Sequence, residues 1–289
     1  PNAKSPFRYE ELHKLEYYGK TAEKVNINNV SKLITIDCEA EIRKALNDVG
    51  LHPEKVFLPP VMKPKVTKHG YISPYNLALN KMAEKNVPLN RNILERIIDE
   101  LTKRLCDAFK VEKLQPYDME TAINGVLEDE YFRRMNVATS NGYGWRGVKS
   151  DLLGIVEESP GILIREPNLE LKETLVKAFA IMAEGNMVRF VIKAALKDEP
   201  REKHKVDKGD TRVFYVSPTE YILISRMLLG PFFSHLVQFG KDIGCCVGIN
   251  IVTGADELVK RMQAFCSIHA DGDWKKFDVK IPQEVTWLR

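Results

Sequence analysis

The strongest constraint on how this chain folds is the charged stretch from Lys197 to Arg212, which lies between two segments of strand character. Val188–Leu196 is rich in apolar and β-branched residues, and Arg212–Val216 has a similar make-up, so each is expected to form a strand. The residues between them are then a long hairpin-like excursion. It carries Lys197, Arg201, Lys203, Lys205, Lys208 and Arg212, interleaved with five carboxylates. Composition alone describes a solvated face here, and only the order of the residues points to more.

Around this stretch the pattern shifts between helix and strand. Cys38 to Asp48 reads as a short helix stopped by Gly50. His52–Gly70 sets Pro53, Pro59, Pro60 and Pro64 among Lys55, Lys63, Lys65 and Lys68, which predicts an extended basic strap outside the core, or a solvated linker. Ser73-Pro74 is a helix start, a hydroxyl cap followed by proline at the first helical position. From Asn90 a longer helix brings Leu94, Ile97, Ile98, Leu101 and Leu105 onto one face, which predicts a buried stripe. Asn168 is placed to cap a further helix through Met182, with Gly185 as its stop.

Ser217-Pro218-Thr219-Glu220 combines a capping box with proline in the first turn. The apolar helix behind it is expected to run to about Leu229, where Gly230-Pro231 breaks or kinks it. Glu257–Phe265 reads as a helix, and Ser267–Ala270 as a short strand leading to Asp271. Elements in this irregular order predict an α+β fold without the alternation of a doubly wound sheet.

Composition narrows the class of protein. With 289 residues, 44% hydrophobic and 29% charged, the chain can bury a substantial core and is not of disordered composition. A net charge of +3 does not by itself require a nucleic-acid partner. Cys38, Cys106, Cys245, Cys246 and Cys266 lack metal-ligand spacing and fit free thiols in a reducing compartment, with Cys245-Cys246 packed in an apolar stretch. No uninterrupted apolar run is expected to span a bilayer, and no signal peptide opens the chain, so a soluble cytosolic protein is the default expectation.

Within the charged stretch, Lys197-Asp198-Glu199 followed by Arg201, then Lys203-His204-Lys205-Val206, and a glycine shortly before Thr211-Arg212 together resemble motif F of picornavirus-like RNA-dependent RNA polymerases. An incoming nucleotide brings a polyanionic triphosphate, and fixed cations both steer it and stabilise the charge on the departing pyrophosphate. The resemblance implies that Lys197, Arg201, Lys205 and Arg212 line the nucleotide channel, with Arg212 nearest the triphosphate or base. Asp198, Glu199 and Asp207 would hold those cations in place.

Asp273-Trp274-Lys275-Lys276-Phe277-Asp278 resembles polymerase motif A, although lysines stand where small or neutral residues are more usual. The resemblance implies that Asp273 binds a divalent metal, Mg²⁺ or Mn²⁺, and that Asp278 reads the ribose 2′-hydroxyl. Asp271, two residues upstream, competes for the metal role; the matching partner at Asp278 favours Asp273. Thr139-Ser140-Asn141-Gly142-Tyr143-Gly144-Trp145 resembles motif G, a loop at the template entrance, and would contact template RNA through Thr139, Ser140, Gly142 and Tyr143. Asn141 and Gly144 stand where that family more often has a small residue and proline. The loop also fits an ordinary glycine-rich turn with aromatic anchors.

What the resemblance implies for the whole is an RNA-directed RNA polymerase, a nucleotidyltransferase replicating a positive-strand viral genome from a polyprotein. The implied architecture is the right-hand polymerase fold, with residues 1–70 as index-finger strap, 71–265 as fingers and 266–289 as the start of the palm. Implied partners are template and primer RNA, nucleoside triphosphates, the remaining palm and thumb, and a protein primer, at replication complexes in the host cytoplasm. The Gly-Asp steps are Gly209-Asp210 and Gly272-Asp273 alone, so the Gly-Asp-Asp of motif C is missing and the chain by itself is expected to be an inactive fragment. Two other readings stay open: a non-enzymatic module binding single-stranded RNA, and an unrelated α+β domain.

Overall fold

The computed structural model describes residues 39–50, 57–67, 70–83, 89–110, 113–127, 129, 131–159, 162–273 and 277. In chain order the first elements are α1 (Glu39–Asp48), β1 (Phe57–Leu58), β2 (Lys65–Thr67), β3 (Gly70–Ile72) and α2 (Pro74–Ala83). Then come α3 (Arg91–Phe109), α4 (Met119–Asn124), β4 (Leu153–Ser159), β5 (Ile162–Pro167) and α5 (Leu169–Ala183). The last are β6 (Lys193–Leu196), β7 (Arg201–Glu202), α6 (Lys203–Asp207), β8 (Val213–Val216), α7 (Thr219–Phe239) and α8 (Ile251–Phe265). Helices mix with small two-stranded sheets, so the α+β class expected from the sequence is what the chain adopts. The described residues form two compact units. One takes those before Pro88 together with Ala194–Tyr215, and the other takes those within Leu89–Lys193 and Val216–Lys275.

In the first unit, β2 and β3 make an antiparallel hairpin pairing Val66 with Tyr71, and β1 pairs antiparallel with β7, Leu58 opposite Arg201. Helix α2 starts as its residues dictate: Ser73 Oγ accepts from Asn76 N at 3.4 Å, and Ser73 O accepts from Leu77 N at 3.1 Å. The proline-rich strap departs from expectation. Pro60 and Val61 are buried, and the Val61 carbonyl accepts a hydrogen bond of 2.8 Å from Thr211 Oγ1. A run that lacks backbone donors can still be core when its apolar prolines face inward and its carbonyls find side-chain donors. Lys63 and Lys65 stay exposed; Lys55 and Lys68 lie outside the described residues.

The second unit is built around Ile123, Leu153, Leu171, Leu175 and Leu223, none of which retains solvent exposure. They come from α4, β4, α5 and α7, and burying each such side chain contributes about 1.5–3 kcal/mol. Asn168 caps α5, its Oδ1 accepting from Leu171 N at 2.9 Å, and Gly185 follows in the left-handed region at φ 77°. Asn90 caps α3 in the same manner.

Several expectations in this unit are corrected. The stripe on α3 exists as a face but is only partly covered: Leu94, Ile98 and Leu105 are half-buried, Ile97 is 55% and Leu101 45% exposed, and in this helix only Phe109 is buried, against the Phe232 and His235 rings. Periodicity selects a face without guaranteeing that anything covers it. Val188–Ile192 is irregular, so β6 begins only at Lys193. Ser267–Ala270 is also irregular and exposed; among the described residues no strand lies beside it to complete a ladder.

Helix α7 neither stops nor breaks at Gly230-Pro231 but continues to Phe239. Both residues are buried, and a Cβ on Gly230 would come within 2.9 Å of the Phe132 and Tyr117 rings, so glycine here serves close packing. With a 3₁₀ turn added, Thr219–Ile243 is long and apolar enough to cross a membrane by length and composition, against the sequence expectation that no such run exists. In this unit it is the central helix: Leu223 and Ile224 lie in the core, and Arg226 donates to the carbonyls of Ala122 and Arg133.

Candidate functional site

The charged stretch leaves and rejoins the β6–β8 pair through a closed neck, Lys197 N donating to Arg212 O at 2.8 Å. Inside the neck, Glu199 gathers cations. Its carboxylate lies 2.8 Å from Lys197 Nζ, 3.3 Å from Arg212 Nη1 and 3.8 Å from Arg201 Nη1. Burial raises the Glu199 carboxyl, but the Lys197 hydrogen bond and the Arg212 and Lys197 charges outweigh it and hold the group below its ordinary value. Three cations around one carboxylate leave excess positive charge, and the Arg212 and Lys197 side chains are 59% and 47% exposed. The arrangement can bind a polyanion without first rearranging.

Of the four predicted nucleotide-binding cations, Lys197, Arg201 and Arg212 therefore share one partner. Arg201 is the most covered, and its Nε also donates to Asp210 O at 3.3 Å. Lys205 is apart from them, on α6, paired with Glu202 at 3.4 Å. Glu199 braces cations as expected, and Asp207 pairs with Lys203 at 2.8 Å. Two bracing carboxylates escaped the sequence pattern. Glu202 holds Lys205 and lies 3.2 Å from His204, and Asp210 pairs with Lys81 of α2. The three-residue step from Glu202 to Lys205 could have suggested the first; nothing local points to Lys81.

The glycine-rich loop is closed on itself by a bridge between Ser140 and Val148, with Lys149 N donating to Thr139 O at 2.9 Å. Asn141 is wholly buried inside it. Its Nδ2 donates to Arg146 O at 2.7 Å and Val148 O at 2.8 Å, and its Oδ1 accepts from Thr219 Oγ1 at 3.0 Å. Gly142 has φ 86°, and a Cβ there would stand 2.6 Å from Pro218 Cα, so only glycine fits. Trp145 Nε1 donates to Glu220 Oε2 at 2.7 Å.

These contacts also explain why the capping box expected at α7 does not form. Pro218 itself occupies the cap position, while the Thr219 hydroxyl and the Glu220 carboxylate are both turned to the loop.

The predicted template residues differ in what they can still offer. The Thr139 hydroxyl donates to Asn136 O at 2.9 Å and accepts from Lys149 Nζ at 2.8 Å, so it is committed within the protein. Ser140 Oγ accepts from Gly142 N at 3.2 Å, which leaves its hydroxyl proton for a ligand. Tyr143 is 48% exposed. Lys149, which the motifs did not single out, is only 5% exposed and also donates to Ser140 O at 2.7 Å; burial pushes its amine down.

Asp273 and its competitor Asp271 are exposed on the irregular segment after α8. Asp278 lies outside the described residues. Among the described residues no group of three or more His, Cys, Asp or Glu side chains gathers closely enough to hold a metal ion.

Comparison with known proteins bears on these arrangements. A family model described as viral RNA-dependent RNA polymerase matches residues 74–288. The replication polyprotein of Nora virus is 28% identical over 221 residues, 71% of this chain and 10% of the relative. The replicase polyprotein of Drosophila C virus is 23% identical over 244 residues, 79% of this chain and 14% of the relative. This chain thus spans 10% and 14% of the length of these two relatives. The genome polyprotein of human hepatitis A virus is 27% identical over 168 residues, covering 57% of this chain and 7% of the relative. Among solved structures, a Sicinivirus 3Dpol RNA-dependent RNA polymerase is 21% identical with a TM-score of 0.49, over 64% of this chain and 36% of that one. The chain belongs to the viral RNA-dependent RNA polymerases, in their picorna-like branch.

Proposed function

We propose that this chain is the nucleotide- and template-handling part of an RNA-dependent RNA polymerase that replicates a positive-strand RNA genome. The observation that carries it is the Glu199 cluster, which holds Lys197, Arg201 and Arg212 together while leaving Arg212 largely exposed. A triphosphate docking there would meet cations already oriented, so its charge is compensated without a reorganisation cost at the moment of transfer. Lys205 would act as a second, separate contact. Ser140 and Tyr143, with the Gly142 backbone between them, would track the template backbone without reading sequence. The committed hydroxyl of Thr139 gives that residue a supporting part in the loop.

In this reading residues 1–70 are the index-finger strap, 71–265 the fingers and 266–289 the start of the palm. Asp273 is the candidate metal ligand and Asp278 the candidate 2′-hydroxyl reader; family membership supports use of a divalent ion in general. Partners would be template and primer RNA, nucleoside triphosphates and the rest of the polyprotein's palm and thumb, with a protein primer as a further candidate. The site of action would be replication complexes in the host cytoplasm. These 289 residues alone would not polymerise, since their Gly-Asp steps at Gly209 and Gly272 lack the second aspartate of motif C.

Primer extension on radiolabelled RNA tests both parts. The isolated chain should be inactive, and Mg²⁺-dependent synthesis by it would refute the fragment reading. In the complete polymerase, Asp273→Ala should abolish synthesis while RNA affinity stays nearly intact. Surviving activity would remove Asp273 from the site.

A further inference from the structure

We infer that Asn141 and Thr219 form a clasp that sets the grip of the glycine-rich loop on template RNA, with Asn141 as a positioning residue. The inference rests on the reading of that loop as a template contact. Neither side chain is offered to RNA. Asn141 and Thr219 are both fully buried, and they join parts of the chain that are distant in sequence. Thr219 N donates to Asn141 O at 3.0 Å, and Thr219 Oγ1 donates to Asn141 Oδ1 at 3.0 Å, so backbone and side chain are fastened at the same point. On the other side the Asn141 amide ties together the two arms of the loop, at Arg146 O and Val148 O, and its backbone N donates to Gly147 O at 3.2 Å. A buried amide has two donors and one carbonyl to satisfy, and here all three are engaged.

Three consequences follow from the chemistry. Ser140 and Tyr143 flank the pair Asn141-Gly142, so their placement depends on where that pair is held. Gly142 lies against the Ser217-Pro218 backbone too closely for any Cβ, so the clasp leaves the loop one seat at the start of α7. Removing either partner leaves buried polar atoms unsatisfied, which favours the loop moving away to reach water. An aspartate at 141 would keep the acceptor for Thr219 but set a carboxylate against the Arg146 and Val148 carbonyls.

The test is steady-state primer extension by the complete polymerase, varying template RNA at saturating nucleotide and then the reverse. Thr219→Val should raise the template KM about tenfold, the equivalent of one lost buried hydrogen bond, and Asn141→Ala and Asn141→Asp at least as much, with nucleotide KM unchanged. Thr219→Ser keeps the hydroxyl and should stay within about twofold of the parent. The double variant Asn141→Ala/Thr219→Val should be no worse than its worse single, because each breaks the same clasp. Should the Asn141 variants fail to fold, the Thr219→Val and Thr219→Ser pair decides the matter alone. Template KM unchanged in Thr219→Val, while Ser140→Ala and Tyr143→Ala raise it, would overturn the clasp and leave the template loop standing. No effect from Ser140→Ala and Tyr143→Ala either would remove the template reading and the clasp with it. Loss of thermal stability with both KM values unchanged would make the pair merely structural, and that also overturns the inference.

Discussion

Glu199 Oε1 accepts from Arg212 Nη1 across 3.3 Å, joining the two ends of the charged stretch where its backbone neck also closes. The same carboxylate holds Lys197, so the two most exposed cations of the cluster owe their orientation to one acidic side chain. Glu199→Gln keeps the shape but removes the charge. It should raise the nucleotide KM of the complete polymerase about tenfold with little effect on template KM. Steady-state incorporation with nucleotide varied measures this directly; an unchanged nucleotide KM would mean that the cations orient themselves.

The same group makes an acid-stability prediction. Its folded value is depressed below the unfolded one, so its contribution is present above the unfolded value and is lost as pH falls through the folded one. Unfolding midpoints measured from neutral pH downward should show a steeper acid loss in the parent than in Glu199→Gln. Parallel curves would dissociate Glu199 from the stability of the loop.

Lys149 predicts the opposite limb. Burial pushes its amine below the ordinary lysine value of 10.5, so the folded state binds fewer protons than the unfolded state in the interval between. The fold should gain stability relative to Lys149→Met as pH rises through the folded value towards 10.5. Urea unfolding of both proteins across the alkaline range checks the sign, and a constant difference would show that the amine is not desolvated.

Gly142→Ala combines a strained backbone sign with a clash on main-chain atoms that cannot swing aside. The expected cost is about 2 kcal/mol or more in denaturant unfolding. A cost within experimental error would mean that the loop does not seat on Pro218.

Local chemistry explains which features the sequence made legible. Asn90, Asn168 and Ser73 announce helix starts because a cap acts within three residues of itself, and Gly50 and Gly185 announce stops for the same reason. The cation cluster was legible because its order resembles a known motif. What escaped depends on distant partners. The capping box at α7 fails because Pro218 holds the cap position and Trp145 takes the Glu220 carboxylate, and α7 passes Pro231 because Tyr117 N donates to the Met227 carbonyl that the proline frees. Asn141 and Lys149 could be noticed only as a departure and as one lysine among many, since burial is invisible until the loop closes around them.

The central claim is that the exposed face of the Glu199 cluster receives the incoming nucleotide. Single-nucleotide incorporation by the complete polymerase carrying Arg212→Ala tests it most directly. The account predicts a nucleotide KM raised at least about tenfold, with template KM within about twofold of the parent. A nucleotide KM equal to the parent's would contradict it.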